Sequence, residues 1–161
     1  YIANEPTDLD GDGDLDTGLV AAMSDVATLA TAVEWGCNDT DLLNVPNVPY
    51  NTGNPAGSGA EIGDGFNNTN DILTDCPTAP AALAARSLGA QWFLPSAKEL
   101  NQMYINKTTL EGVSGFTAFS NYYWSSTQGV SNVAWEQNFG NGVQNDINTL
   151  YSNYVRAVRA F

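Results

Sequence analysis

Phe93-Leu94-Pro95-Ser96-Ala97-Lys98-Glu99-Leu100 marks a helix start more sharply than any other stretch of the chain. Ser96 followed three residues later by Glu99 is a capping box, in which hydroxyl and carboxylate each satisfy an otherwise orphaned amide of the first turn. Leu100, Met103 and Tyr104 then fall on one face at i, i+3 and i+4, so the spacing predicts a helix with an apolar stripe. Downstream, Phe116, Phe119, Tyr122-Tyr123-Trp124, Val133-Ala134-Trp135 and Phe139 read as short strands joined by polar loops. Residues Tyr154 to Phe161 read as a closing strand, with Val155 and Ala157 (or Arg156 and Val158) alternating. Arg156 and Arg159 point to opposite faces of that strand, and at least one should pair with an acid inside the fold. Trp124, Trp135 and Phe139 read as core, the usual place for large aromatics.

Upstream, Thr78 to Leu88 carries Pro80 near its start and Gly89 just past its end, which predicts a second helix. Asn70 to Leu73 reads as a turn of helix, and Gly18 to Met23 as a short buried strand. Residues 24–34 place Val26, Leu29, Ala30 and Val33 at helical spacing behind Ser24 and Asp25 as N-cap, and a helix is expected there. From Trp35 to Gly65 Asn, Pro, Gly and Asp dominate without a period, and so long a loop is usually functional or pinned by a crosslink. At 161 residues the chain is expected to be a single domain spanning 1–161, with little helix and much loop.

Cys37 and Cys76 are the only cysteines, too few for a metal cage and too far apart for a C-x-x-C redox motif. One disulfide is the simplest reading, closing a loop of about forty residues and worth roughly 3 to 4 kcal/mol. Two buried free thiols in a cytoplasmic protein are the alternative. Few lysines and many Asn, Thr, Ser and Gly lean toward an extracellular or cell-surface location. The chain opens on Tyr1-Ile2-Ala3-Asn4, without the basic and apolar regions of a leader, so any targeting segment is expected to have been removed. No run approaches the roughly twenty apolar residues of a membrane span, and no direct membrane insertion is expected.

The charge is lopsided. Residues 1–85 hold fourteen Asp and Glu and no Lys or Arg, while the net charge of the whole chain is −13. Such a surface repels nucleic acid, heparin-like sugars and anionic membranes, and favours divalent cations. The densest acidic run is Asp8-Leu9-Asp10-Gly11-Asp12-Gly13-Asp14-Leu15-Asp16. Asp at relative positions 1, 3, 5 and 9 with Gly at 6 is the spacing by which an EF-hand loop wraps oxygen ligands around Ca²⁺, Asp14 offering its carbonyl from position 7. Position 12 is Leu19 rather than a bidentate Glu, so the match is partial. Asp8, Asp10, Asp12, Asp14 and Asp16 are the candidate calcium ligands, with a solvated acidic turn as the alternative.

The chain has no His, no phosphate-cradling Gly loop and no nucleophile elbow. Glu99 and Glu111 are a formal pair of carboxylates for glycosidase chemistry, but the capping box already accounts for Glu99. The usual acid, base and nucleophile roles lack candidates, so a binding or structural role is expected rather than catalysis.

Trp35-Gly36-Cys37, Trp92-Phe93-Leu94-Pro95-Ser96 through Leu100-Asn101 to Tyr104, Gly115-Phe116, Tyr123-Trp124-Ser125-Ser126-Thr127, Ala134-Trp135 to Phe139, Asn141-Gly142 and Val155 to Phe161 together resemble the bacterial DUF1566 family, also called the Lcl C-terminal domain family. The resemblance covers nearly the whole chain in order. It implies an α+β, C-type-lectin-like fold of short twisted antiparallel sheets with two main helices and long loops, related to the formylglycine-generating enzymes, found mostly on surface and secreted proteins, with the last third carrying the ligand-binding face. No cysteine matches the formylglycine-generating active site, so the relation to those enzymes is one of fold. The Asp-rich run at 8–16 departs from the family as an apparent insertion between the first two strands. The same fold and ending occur in the variable proteins of diversity-generating retroelements, whose terminal stretch is mutagenised.

In this light Gly129 to Tyr154 reads as a binding face, since it mixes Asn, Ser and Tyr around fixed-looking Ala134-Trp135, Phe139 and Gly142. The residues expected to contact ligand are Tyr122, Asn132, Glu136, Asn138, Asn141, Gln144, Asn145, Asn148, Tyr151 and Asn153. An ordinary polar loop, where Asn serves turns, is the alternative. The function expected is adhesion to, or recognition of, a protein or carbohydrate ligand. The other expectation is a structural subunit that self-assembles into a calcium-stabilised extracellular filament or coat.

Overall fold

In the computed structural model, which describes residues 1–26 and 32–161, the elements run β1 (Ile2–Thr7), β2 (Asp16–Ala21), β3 (Val33–Glu34), α1 (Asp64–Asp75), α2 (Pro80–Arg86), α3 (Ala97–Ile105), α4 (Lys107–Glu111), β4 (Tyr122–Gln128), β5 (Val133–Asn138), β6 (Gln144–Asn148), β7 (Ser152–Asn153) and β8 (Val158–Ala160). The described strands form three small antiparallel sheets, ordered β1-β2-β8, β3-β7 and β4-β5-β6. The class is α+β, as expected. Among the described residues no helix is long and apolar enough to cross a membrane.

Helix α3 starts where its sequence dictates. The Ser96 hydroxyl accepts from the Glu99 amide at 3.3 Å, and Glu99 Oε2 accepts from the Ser96 amide at 2.7 Å. Helix α2 begins at Pro80, in the expected span. Helix α1 starts at Asp64, six residues before the expected turn at Asn70. Its N-cap, Gly63, has φ 98° and no side chain to cap with; the Gly63 amide instead donates to Glu99 Oε1 at 2.8 Å. One buried carboxylate therefore serves the starts of two helices.

The helix expected over 24–34 is corrected at both ends, while residues 27–31 lie outside the described residues. Val33–Glu34 is a strand, paired with Asn153 and Ser152. Ala22 and Val26 donate their amides to Ala157 and Val155, each at 2.9 Å, so extended pairing with the terminal segment overrides helical spacing. Phe116 and Phe119, expected in strands, lie instead between α4 and β4.

Two large apolar clusters share the core. Trp35, Leu42, Ile72, Trp124, Val155 and Ala157 belong to one; Leu19, Phe93, Leu100, Tyr123, Phe139 and Val158 belong to the other. Residues 155–158 run between them, so the expected alternation is present, but both sides of the segment are buried. Trp124, Trp135 and Phe139 are core, as anticipated. Arg156 is 0% exposed: its guanidinium lies 4.7 Å from the Phe116 ring centroid and 4.5 Å from that of Phe119, and it pairs with Asp25. Arg159 is exposed on the other side, over the Trp92 ring.

The long loop before α1 is held at several points. Cys37 and Cys76 form the expected disulfide, with Cα atoms 6.3 Å apart. Trp135 Nε1 donates to the Val48 carbonyl at 2.8 Å, and the buried Gln128 side chain donates to Asn47 Oδ1 and accepts from the Leu42 amide. Each of these bonds satisfies a buried polar group while tying the loop to β4 or β5.

Candidate functional site

Register decides which side chains of β4-β5-β6 share a face. Directly opposed residues point the same way, so the pairs Tyr122–Asn138, Trp124–Glu136, Glu136–Asn145 and Ala134–Ile147 define one face. At one end of it Trp124 and Ala134 are buried in the first cluster, with Ile147 packed against them. At the other end Tyr122 is 41% exposed, Asn145 is exposed and Asn138 is half-buried. Glu136 occupies the boundary, only 5% exposed.

Glu136 Oε2 accepts from Asn153 Nδ2 at 2.7 Å, which draws the β7 segment onto this face. Oε1 has no hydrogen-bond donor among the described residues. Burial pushes the Glu136 carboxyl above the usual carboxylate range, and the Asn153 amide opposes that only in part. Tyr151, two residues before Asn153, is 60% exposed on the adjoining loop.

Tyr122, Glu136, Asn138, Asn145 and Asn153 are thus brought together out of the ten residues singled out in the sequence. Gln144 is on the opposite face, buried, donating to the Ala97 carbonyl at 2.8 Å. Asn132 and Asn148 lie at the far end of the sheet, where the Asn132 amide reaches Asp39 at 3.5 Å. Asn141 sits in the β5–β6 turn. Three of these asparagines accept from the amide two residues on, Asn138 from Gly140, Asn141 from Val143 and Asn148 from Leu150, which is the turn chemistry that Asn serves in ordinary loops.

In the acidic loop, carboxylate oxygens of Asp8, Asp10 and Asp16 all lie within 4.8 Å of one another. Asp12 and Asp14 are exposed and outside this group; Asp12 Oδ1 accepts from the Asp14 amide instead. Asp10 is 5% exposed, and its carboxyl is pushed up by burial first and then by the neighbouring Asp16, Asp12 and Asp8, against one amide bond from Asp12. An all-oxygen set of this kind fits a hard cation such as Ca²⁺, which takes six to eight oxygens and would offset that repulsion.

The expected pairing of a terminal arginine with an acid is met by Arg156, but its partner, Asp25, is 131 residues away and could not be named from the sequence. An apolar groove of about 290 Å³ lies between β2 and the α3–α4 region, lined among others by Val20, Met23, Met103, Leu110, Val113 and Phe116, and it holds none of the anticipated site residues. No protein-family model matches the chain, and no curated protein matches it.

Proposed function

We propose that this chain is an extracellular ligand-binding or adhesion domain of a bacterial surface or secreted protein, C-type-lectin-like and of the DUF1566 type, which recognises a protein or carbohydrate through the outer face of β4-β5-β6. The observation that carries it is the split character of that face. One end is committed to the core through Trp124 and Ala134, while the other presents Tyr122, Asn138 and Asn145 above the buried Glu136–Asn153 pair. Rigid strands beneath a mixed aromatic and amide surface are what a preorganised binding face requires. Support for the fold type comes from the pairing of both chain ends in one sheet and from the separate sheet stacked with helices α1 and α3. The Cys37–Cys76 disulfide supports an oxidising location.

Within the same reading, Asp8, Asp10 and Asp16 hold Ca²⁺ as a structural ion that joins the two ends of the β1–β2 connection. The test of binding is a glycan and peptide array probed with the wild-type domain and with a Tyr122→Ala, Asn145→Ala double variant. Ligands retained by the wild type and lost by the variant support the face; ligands unaffected by the variant would move the site elsewhere.

One observation favours the assembly reading. Strand β1 is an edge strand, exposed over nearly its whole length and paired on one side only, the geometry by which a strand of a second copy can be added. Light scattering of the purified domain in Ca²⁺ and in EDTA separates the two: ordered, calcium-dependent polymers would favour a filament or coat subunit, and a persistent monomer the display domain.

A further inference from the structure

Provided that the outer face of β4-β5-β6 is the binding surface proposed above, its chemistry is set by Glu136. The side chain is 5% exposed, lies between Trp124 and Asn145 across the strands, and has lost most of its water. A neutral amide, Asn153, returns one hydrogen bond. An ionised carboxylate accepts about four, and Oε1, unpaired but not fully buried, keeps a narrow opening to solvent through which an incoming donor can reach it. No Lys or Arg offsets the charge: the ion pairs among the described residues are Lys98–Glu61, Lys107–Glu111 and Arg156–Asp25. Tyr122, at the next register pair on the same face, offers a partly exposed ring on which a planar cation can stack.

We propose that Glu136 is an anchor for a cationic group, a guanidinium or ammonium, presented by a peptide or protein partner. A charge-assisted hydrogen bond to Oε1 returns more to a desolvated carboxylate than a neutral hydroxyl does, which favours a basic side chain over a sugar. The net charge of −13 acts in the same direction at longer range, drawing basic segments toward the domain. Burial holds the Glu136 carboxyl above its ordinary range, and a bound cation would bring it down.

The experiment is an NMR titration of the ¹⁵N,¹³C-labelled domain with N-acetyl-arginine amide, alongside its neutral near-isostere N-acetyl-citrulline amide and methyl mannoside. Wild type, Glu136→Gln and Tyr122→Ala are compared. Glutamine keeps an acceptor for Asn153, and a thermal melt of the variant verifies that it stays folded. The expected result is that the arginine probe shifts the Asn145 and Asn153 side-chain amides, binds at least about tenfold more tightly than citrulline, lowers the titration midpoint of the Glu136 carboxyl, and loses these effects in Glu136→Gln. Equal responses to arginine and citrulline, an arginine response that survives Glu136→Gln, or no arginine response at this face would each overturn the anchor. A Tyr122-dependent response to citrulline or mannoside with none specific to arginine would overturn the cationic assignment while leaving the face a binding surface. Silence of the face toward all three probes, with array ligands insensitive to Tyr122→Ala, would remove both.

Discussion

Arg156 and Asp25, 131 residues apart in the chain, meet with Nε 2.8 Å and Nη2 2.7 Å from the same carboxylate oxygen. The other Asp25 oxygen accepts from the Tyr123 hydroxyl at 3.1 Å, and the guanidinium also donates to the Thr117 carbonyl. A single ion pair thus joins β4, the loop after α4, the turn after β2 and the terminal segment. Removing one partner of a buried pair leaves the other charge uncompensated, so Arg156→Met should cost about 3 to 5 kcal/mol. Urea unfolding measures this, and a loss under about 1 kcal/mol would contradict the role given to the pair.

The disulfide ties the long irregular loop after β3 to the end of α1 across a sequence separation of 39. In the chain-entropy account its loss should cost roughly 4 kcal/mol. The Cys37→Ala, Cys76→Ala double variant should unfold at correspondingly lower urea, with an unchanged profile in reductant; a variant as stable as the oxidised wild type would show the crosslink to be dispensable.

Burial pushes the Glu99 carboxyl up to about 7 from an ordinary 4.5, against amide bonds from Ser96, Gly63 and Gly65. The folded state therefore binds this proton more tightly than the unfolded state does. The resulting stability is fully present below pH 4.5 and is lost as pH rises through 7. Melting temperatures of wild type and Glu99→Gln, taken across this window, should have a difference that changes with pH in that sense; a flat difference would place the carboxyl at an ordinary value.

If Asp8, Asp10 and Asp16 hold Ca²⁺, saturating the site a hundredfold above its Kd should add about 2.7 kcal/mol of stability. Calorimetric melts in Ca²⁺ and EDTA should show the increment in wild type, Asp12→Asn and Asp14→Asn but not in Asp10→Asn. Loss of the increment in Asp12→Asn as well would restore the wider five-ligand loop that spacing alone suggests.

How much of this was legible depended on the distance over which each signal acts. The α3 start is local, two side chains three residues apart, and the sequence displays it in full. The α1 start is not, because Gly63 has no side chain and its amide is satisfied by Glu99, thirty-six residues later. The expected helix near Val33 yields to β7, a partner more than a hundred residues away that a local period cannot register. In the candidate site, the alternation around Glu136 follows from strand pairing once register is known, whereas Gln144, two residues before Asp146 on β6, falls on the buried side for the same reason. The Asn content of the region carried two meanings at once, surface and turn, and backbone geometry was needed to separate them.

The segment Val155–Val158 has a bearing on how the molecule is made. Neither apolar cluster can close until these four residues are available, since one side contributes Val155 and Ala157 and the other Val158. During synthesis more than 150 residues must therefore emerge while Trp35, Leu19 and Phe93 still lack the segment that completes their clusters. Contacts of such long sequence separation slow folding and prolong the exposure of apolar surface. A chain truncated before residue 155 should accordingly be a target for holdase chaperones and proteases rather than a smaller folded domain, which makes the Val155–Val158 segment the latch on which cellular quality control of this protein turns.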